Sequence, residues 1–343
     1  MEMNYGSYGV SAYEDGLILK NGGTTIEGVR RAMNPWGRMA FDIRFRKIRK
    51  KIEAFHDRAL EVGECYYGPF VGEFGHFLLH NLPFMMYLHK NGVRIRYCGM
   101  DIHRPFMKDE KGEPIVAEFH ALRDFFGEVK PSANATIPPK DVQEEIESFR
   151  KEALKSGLPF LDISNSELYW NGLRNLQIGR WQHVYDLSAV YGEGKKNTAV
   201  IFPRSKGAAT TENNGGPWDY AEVARAVSPW FDKVYLVGHP SLSASVEVGG
   251  NIEMKVSDDN ADTLRYCAEA RLIITQHSGA VHIGGYVGTP VLIIYNGEPP
   301  IRGLFDTIRF RRHIAELPLR YAFDLDAVVE AVKKLGEGET EGR

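Results

Sequence analysis

The sequence predicts an α/β fold of two domains, each built on a parallel, doubly wound sheet. Short apolar runs rich in β-branched residues alternate with segments of helical periodicity, and this alternation is typical of parallel sheets flanked by helices. The chain has 343 residues, which is room for about two domains. Its composition, with 43% hydrophobic and 25% charged residues, is that of an ordinary globular protein.

Charge and cysteine content exclude several classes of function. The formal net charge is -3, so nothing predicts the basic face that nucleic acid requires. Cys65, Cys98 and Cys267 form no CxxC pair, which argues against a disulfide framework or a zinc site. No apolar run reaches the roughly 18 residues of a membrane span, and the first residues lack the regions of a signal peptide. We therefore expect a cytoplasmic protein.

Residues 1–190 are predicted to form the first domain, which opens with an N-terminal extension. An amphipathic helix follows, with apolar residues at steps of 4, 3, 4 and 3, namely Phe41, Phe45, Ile48, Ile52 and Phe55. Its other face is basic over Arg44–Lys51. Such a helix either packs on the domain with a solvated charged face or makes a peripheral contact with an anionic membrane. Both interpretations stay open at this point.

A strand, a turn, an apolar helix and a second strand come next, over residues 65–100. Three polar residues, Glu73, His76 and His80, stand near the carboxyl end of the first strand, where open α/β sheets bind ligands. His76 and His80 are four residues apart, so they share a helical face. The spacing would allow a metal pair or two structural histidines, but we expect no metal because no third ligand stands at a suitable spacing. Further on, residues 116–126 are predicted to form a helix.

The second domain is predicted over residues 198–335, after a glycine- and lysine-rich stretch. Its first strand, residues 199–202, runs into Arg204, Ser205 and Lys206. Because strands and helices alternate regularly from there on, we expect a parallel sheet. Residues 336–343 are polar and glycine-rich, and we expect them to form a mobile tail.

The most informative stretch of the second domain is residues 271–300, which predicts a strand, a short helix and a second strand. Ser278 and Gly279 fall at the start of the helix, where backbone N–H groups and the helix dipole favour an anion such as phosphate. Arg204 and Lys206 reach the same edge of the sheet and would complete a pyrophosphate clamp. Alternatively, Ser278 is an ordinary helix cap and both cations are solvated. The fingerprints of P-loop and dinucleotide-binding proteins are absent from the sequence.

Residues 259–300 resemble the donor half of B-fold glycosyltransferases, most of all the heptosyltransferase-like group. They read DNADTLRYCAEARLIITQHSGAVHIGGYVGTPVLIIYNGEPP. The positions that match the pattern of the group are Ser278, Gly279, His282, Gly288, Thr289 and Pro290. Gln276 and His277 replace the usual acidic or small residue before the serine. In the first domain, GEFGHFLLHNLPFMMYLHKNG is similar to the turn and helix of that group, which puts Glu73 where the group carries its catalytic acid.

The resemblance implies two Rossmann-like domains facing across a cleft, with a nucleotide-sugar in the second and the acceptor in the first. Such enzymes need no metal or other cofactor, and by analogy the reaction is inverting. It implies Glu73 as catalytic base, with His76 as second choice and His80 on the acceptor side. The residues it assigns to the donor are Arg204, Ser205, Lys206, Gln276, His277, Ser278, Gly279, His282 and Glu298. Glu298 is equally well explained as a solvated loop acid, and the pair Asp324 and Asp326 as a helix cap.

Two other functions fit the same sequence. One is a non-hydrolysing nucleotide-sugar epimerase, which shares the B fold and uses no acceptor. The other is a glycan- or nucleotide-binding module without catalysis. The leading hypothesis is a metal-independent glycosyltransferase that uses a nucleotide-sugar donor and a glycan or lipid-linked acceptor, in the cytoplasm or at the face of a membrane.

Overall fold

The computed structural model describes residues 10–13, 16–19, 35–129, 136–164, 168, 181–204, 218–276, 278–294, 319–322 and 324–337. These residues form two compact units. The first holds the described elements up to Tyr185, and the second holds those from Asp186 onward together with the turn Glu110–Gly112. The domain limits 1–190 and 198–335 stay a prediction, and the division between the two units falls between Tyr185 and Asp186.

The sheet of the first unit has four parallel strands in the order β5-β4-β3-β6. The strands are β3 (Glu64–Phe70), β4 (Arg94–Met100), β5 (Glu118–Leu122) and β6 (Phe160–Leu161). A separate antiparallel hairpin of β1 (Val10–Tyr13) and β2 (Gly16–Leu19) precedes them. Numbered along the chain from β3, the strand order of the sheet is 3-2-1-4, so the direction of winding reverses between β3 and β6.

Helices α1 to α4 belong to the first unit. They are α1 (Pro35–Val62), α2 (Phe74–His76), α3 (Leu82–Lys90) and α4 (Lys140–Ser156), with a π-helical turn at Phe77–Asn81 and a 3-10 turn at Asp101–Phe106. The predicted amphipathic helix is confirmed, since α1 buries Ile52 and Phe55. The side chains of Phe41, Arg44 and Phe45 lie outside the described part of the structure.

The prediction of a helix over residues 116–126 is wrong. The segment contains β5, which pairs in parallel with β4 at the edge of the sheet. Its Ala, Glu and Leu residues favour a helix locally, but pairing with β4 and the burial of Leu122 outweigh that propensity.

The sheet of the second unit has six parallel strands in the order β12-β11-β10-β7-β8-β9. They are β7 (Thr198–Phe202), β8 (Lys233–Gly238), β9 (Ile252–Val256), β10 (Leu272–Gln276), β11 (Val291–Ile294) and β12 (Leu319–Ala322). Numbered from β7, this is the Rossmann order 3-2-1-4-5-6. The winding direction reverses between β7 and β10, so a ligand crevice is expected at the carboxyl ends of these two strands.

Helices cover both faces of the second sheet. They are α5 (Ser188–Tyr191), α6 (Tyr220–Val227), α7 (Asn260–Glu269), α8 (Ala280–Val287) and α9 (Leu325–Glu337). Ile201 and Ile274 join the core under α6 and α9, while the alternate residues Val200 and Ile273 are equally inaccessible. The predicted doubly wound α/β fold is therefore confirmed, and its central strands are buried on both faces.

Two of the helix starts follow directly from short polar side chains. Asp259 accepts a hydrogen bond from the backbone N–H of Ala261, at 2.8 Å, and caps α7. Asp324 accepts from the N–H of Ala327, at 2.7 Å, at the start of α9. Asp324 is therefore a helix cap, as the sequence suggested. Within the described residues, every helix is too short or too polar to cross a bilayer.

Candidate functional site

In the first unit the candidate residues follow β3, beside the point where the winding of the sheet reverses. Glu73 begins α2 with an extended backbone (φ -59°, ψ 138°), and its carbonyl oxygen accepts hydrogen bonds from the N–H groups of His76 and Phe77. Its carboxylate does not cap the helix, and 41% of the side chain is exposed. A carboxylate so placed is accessible to a molecule at the edge of the sheet.

His76 and His80 continue inward from Glu73. A carboxylate oxygen of Glu73 lies 3.6 Å from Nε2 of His76, whose side chain is only 13% exposed. The rings of His76 and His80 are 5.6 Å apart between centroids, and His80 is completely buried. The three residues therefore run from the surface into the core, with the carboxylate outermost. The acceptor-side assignment of His80 stays a prediction. In the structure this ring is buried on the inner side of His76.

The histidines lie on a helix that is interrupted by a π-turn. Between α2 and α3, the N–H of Leu82 donates to the carbonyl of Phe77, five residues back. Pro83 has no N–H, so it cannot continue the regular ladder at this point. The buried Asn81 stabilises the turn: its Nδ2 donates to the carbonyl of His76, and its Oδ1 accepts from the hydroxyl of Tyr67 at 2.8 Å. Such single π-turns occur frequently at functional sites.

His103 packs against the π-turn through Phe77, and the sequence analysis did not single it out. Its ring stacks on Phe77 with centroids 3.8 Å apart, and its Nδ1 is 3.1 Å from the hydroxyl of Tyr97. Burial lowers the pKa of His103 to about 3, so the ring is neutral at physiological pH. His103 follows β4 at the same edge of the sheet as Glu73, and that position was its only signal in the sequence.

Metal binding was a minor alternative for the histidine pair. Across the part of the chain that the structure describes, no three His, Cys, Asp or Glu side chains are grouped in a way that could hold a metal ion. Each cysteine is buried, and burial raises the pKa of the Cys65 thiol to about 12, so this thiol is protonated at neutral pH.

In the second unit, Arg204 and Gln276 lie at the carboxyl ends of adjacent strands, at the reversal point of the sheet. Arg204 comes two residues after β7, and its backbone bridges to Ser243. Gln276 ends β10 and is fully buried, with its Oε1 accepting a hydrogen bond of 2.5 Å from the hydroxyl of Tyr220. Burial raises the pKa of Tyr220 to about 12, and the neighbouring Arg204 opposes that rise. Tyr220 therefore lies beside Arg204 and is hydrogen-bonded to the end of β10.

Tyr220 could not be recognised as a site residue from sequence, since it lies 56 residues from Gln276. The assignment of Gln276 to the donor stays a prediction. What the structure adds is that one of its polar atoms is already bound by Tyr220, within the protein. Ser205, Lys206, His277 and Glu298, which the sequence also assigned to the donor, lie outside the described residues.

Ser278 organises the amino end of α8. Its Oγ accepts a hydrogen bond from the N–H of Ala280 at 3.2 Å and lies 3.3 Å from Oγ1 of Thr275. Gly279 already has helical backbone angles (φ -53°, ψ -32°), and its carbonyl accepts from the N–H of His282. His282 is 4% exposed, so it is part of the buried helix. Ser278 is thus a helix cap, and the positive end of α8 points to the carboxyl edge of the sheet.

The Gly288-Thr289-Pro290 motif lies at the other end of α8. Gly288 closes the helix with a left-handed backbone (φ 60°), which a residue with a side chain adopts only at a cost. The hydroxyl of Thr289 donates to the carbonyl of Cys267 at 2.6 Å and accepts from the Lys195 ammonium at 2.5 Å. Lys195 also donates to the carbonyls of Ala268 and Val287. Thr289 and Lys195 therefore connect the end of α7 to the end of α8, at the edge of the sheet away from Ser278.

No family model matches the chain, and no curated protein does either. Among solved structures, the chain is similar to the E. coli heptosyltransferase WaaC with ADP, at 11% identity and a TM-score of 0.49, covering 80% of this chain and 99% of the other. It is similar to a family 9 glycosyltransferase from Veillonella parvula DSM 2008 at 12% identity and 0.47, covering 81% and 88%. A third structure is a putative UDP-N-acetylglucosamine 2-epimerase from Listeria monocytogenes, at 10% identity and 0.31, covering 88% and 70%. Likenesses at this level decide neither donor nor acceptor.

Proposed function

We propose that this protein is a glycosyltransferase that moves a sugar from a nucleotide-sugar to a hydroxyl group of a glycan or glycolipid acceptor. The observation that supports it is a coincidence of position. In each unit, polar candidate residues follow a strand beside the reversal point of that unit's own parallel sheet: Glu73 follows β3, Arg204 follows β7 and Ser278 follows β10. Reversal points are where open α/β sheets bind their ligands.

The second unit would hold the leaving nucleotide. A guanidinium binds phosphate oxygens through two parallel hydrogen bonds, and the amino end of a helix carries a partial positive charge. Arg204 and the Ser278–Gly279 end of α8 supply these two features on adjacent strands. We expect Ser205 and Lys206 to add to them. Cationic and dipolar groups of this kind stabilise the charge that develops on a diphosphate as the sugar leaves, which is why we expect no metal requirement.

The first unit would supply the base. As the acceptor oxygen bonds to the anomeric carbon, the bond from that carbon to the diphosphate breaks and the electron pair leaves with the phosphate. The hydroxyl proton must go to a nearby base, and Glu73 is a half-exposed carboxylate that is not used in capping. His76 lies 3.6 Å from it, so the imidazole would orient the carboxylate. A single direct displacement of this kind inverts the anomeric centre.

The proposal can be tested with a panel of nucleotide-sugars before any acceptor is known. The melting temperature is measured with UDP-, GDP-, ADP-, CMP- and dTDP-sugars, and one nucleotide class should raise it. A ligand at 100 times its Kd adds about 2.7 kcal/mol to the free energy of unfolding. The donor found is then radiolabelled and incubated with and without a glycolipid extract. If no nucleotide-sugar raises the melting temperature, the donor site is wrong. If the donor is converted to an epimer in the absence of acceptor, the protein is an epimerase and the transferase proposal is wrong.

A further inference from the structure

Helix α1 presents an unusual outer face. Its inner face is anchored by Ile52, Phe55 and Ala59, which are buried. On the opposite side, five residues recur at steps of 3, 4, 4 and 3, and we call them the α1 outer face: Trp36, Met39, Ile43, Lys47 and Lys50. Trp36 is 78% exposed, Met39 51% and Ile43 50%. The first two turns of the stripe are thus apolar and open to solvent, and the next two are cationic.

The charge around this stripe is opposite in sign to that of the whole chain. Residues 35–52 contain seven Lys or Arg and one Asp, a formal charge of +6, whereas the chain carries -3. The first turn of α1 has no acidic residue, so its positive dipole end is not compensated from within that turn. Further along the helix, acids reappear in ion pairs: Arg49 with Glu53 at 2.8 Å and Arg58 with Glu61 at 2.7 Å. The positive excess is therefore confined to the half of α1 that carries the apolar residues.

We propose that the α1 outer face docks on an anionic lipid bilayer. Burying Trp36, Met39 and Ile43 gains free energy only against an apolar phase, and the indole ring suits the boundary between headgroups and acyl chains. Lys47 and Lys50, one to two turns further along the same face, would lie at the depth of the lipid phosphates. A nucleic acid would satisfy the cations and leave the three apolar side chains in water, so charge and hydrophobicity together favour a membrane.

This docking goes beyond the proposed enzymatic function and does not depend on it. The face belongs to the first unit and includes none of Glu73, His76 and His80. The sequence left a peripheral membrane contact of this basic helix open. The structure identifies the apolar residues that would make the contact as Trp36, Met39 and Ile43, which the sequence pattern did not single out. A glycosyltransferase attached in this way would meet acceptors that are confined to the bilayer.

The test is sedimentation of the full chain with lipid vesicles. One set is pure phosphatidylcholine, and the other is an equal mixture of phosphatidylcholine and phosphatidylglycerol. We expect binding to the mixed vesicles that weakens with salt, and little to the neutral ones. Each cation near an anionic surface is worth about fivefold in partitioning, so Lys47→Glu with Lys50→Glu should lower it by tenfold or more. Trp36→Ser with Ile43→Ser should lower it as strongly.

The matched control is Lys151→Glu with Lys155→Glu on α4, two exposed lysines on another helix of the same unit. This variant should bind as the unaltered chain does, and all variants should keep its melting temperature. Equal loss in the control would overturn the proposal, because general charge would then explain the binding. So would equal affinity for neutral vesicles. Binding of a short RNA duplex that needs Lys47 and Lys50 but not Trp36, or a dimer in light scattering that Trp36→Ser dissolves, would assign the face to another partner.

Discussion

The two units use the same connection, a strand followed by a helix at the reversal point of a parallel sheet, and build it differently. After β3 the helix is broken by a π-turn, buries His80 and leaves the carboxylate of Glu73 half exposed. After β10 the helix is regular, starts at a serine cap and consists of small and apolar residues around the buried His282. One connection presents a group that can accept a proton, and the other presents N–H groups and a dipole. A shared topology therefore fixes where a ligand binds but not what is done to it.

The difference has identifiable local causes. In the first unit Pro83 cannot donate to the helical ladder, and the amide of Asn81 completes the hydrogen bonding of the wider turn. In the second, Gly284 allows α8 to lie close to the following strand: a Cβ there would be 2.4 Å from Cγ2 of Val291 and 2.5 Å from the carbonyl oxygen of Thr289. The first connection is held by polar side chains and the second by close backbone packing.

The largest effect is expected from removing the proton acceptor. Glu73→Gln should lower the transfer rate by about 10²–10⁴-fold, the usual contribution of a general base, because an amide cannot take the acceptor proton. Donor affinity should be unchanged, since the residue belongs to the other unit from Arg204. The rate is measured with the donor found in the nucleotide-sugar panel, and affinity by calorimetry.

Glu144→Gln is the matched control for this variant, because it makes the same change at an exposed residue of α4. Its transfer rate should equal that of the unaltered chain. If Glu73→Gln retained the full rate, the base would have to be sought elsewhere, with His76 first.

The next effect is expected on the donor side. Arg204→Ala should weaken donor binding by about 10- to 150-fold, because hydrogen bonds to charged groups are worth about 1.5–3 kcal/mol. Arg225→Ala, on the exposed side of α6, removes the same charge away from the reversal point and should leave affinity unchanged. Titration of both variants by calorimetry with donor gives the two dissociation constants. Equal values for them would remove Arg204 from the donor site.

A third comparison separates the two ends of α8. Thr289→Val should lower the free energy of unfolding by about 1–3 kcal/mol, because it removes the buried hydrogen bond to the carbonyl of Cys267 and one acceptor of the part-buried Lys195 ammonium. Partial burial of this ammonium lowers the pKa of Lys195. Ser278→Ala should cost only about 1 kcal/mol as a lost cap and should weaken donor binding instead.

Urea unfolding and donor titration of both variants test this division. A Thr289→Val protein that stays stable but no longer binds donor would mean that the Gly288-Thr289-Pro290 motif contacts the ligand. The structure instead attributes the resemblance at these positions to helix packing.

Much of the fold could be predicted from the sequence, because its cues are local. The buried strands β7, β10 and β11 are continuous apolar runs, and Asp259 is a capping residue at the expected place. The π-turn could not be predicted, since it depends on Tyr67 reaching Asn81 from a neighbouring strand. Nor could β12, a short strand that is defined by its pairing with β11.

The candidate site likewise has residues that could be predicted from the sequence and residues that could not. Glu73, Arg204 and Ser278 were found because each follows a predicted strand, and the structure does place them at the carboxyl edges of their sheets. Tyr220 and His103 were missed, because their importance comes from contacts over distance or from burial. Sequence patterns identify the residues at a sheet edge, whereas the side chains that hold them in place become visible only in three dimensions.

The smallest effect is expected at the polar support of the π-turn. Tyr67→Phe removes the hydroxyl that donates to Oδ1 of Asn81, so the free energy of unfolding should fall by about 1–2 kcal/mol, as for a buried acceptor left without its donor. Because Asn81 also fixes the carbonyl of His76, the transfer rate should fall with donor affinity unchanged. Tyr66→Phe, on the same strand but with its hydroxyl donating to the exposed Glu152, is the matched control and should keep the full rate. Equal rates for the two variants would mean that the broken helix after β3 keeps its shape without the Tyr67 hydroxyl, so that it needs polar side-chain support no more than the regular helix after β10 does.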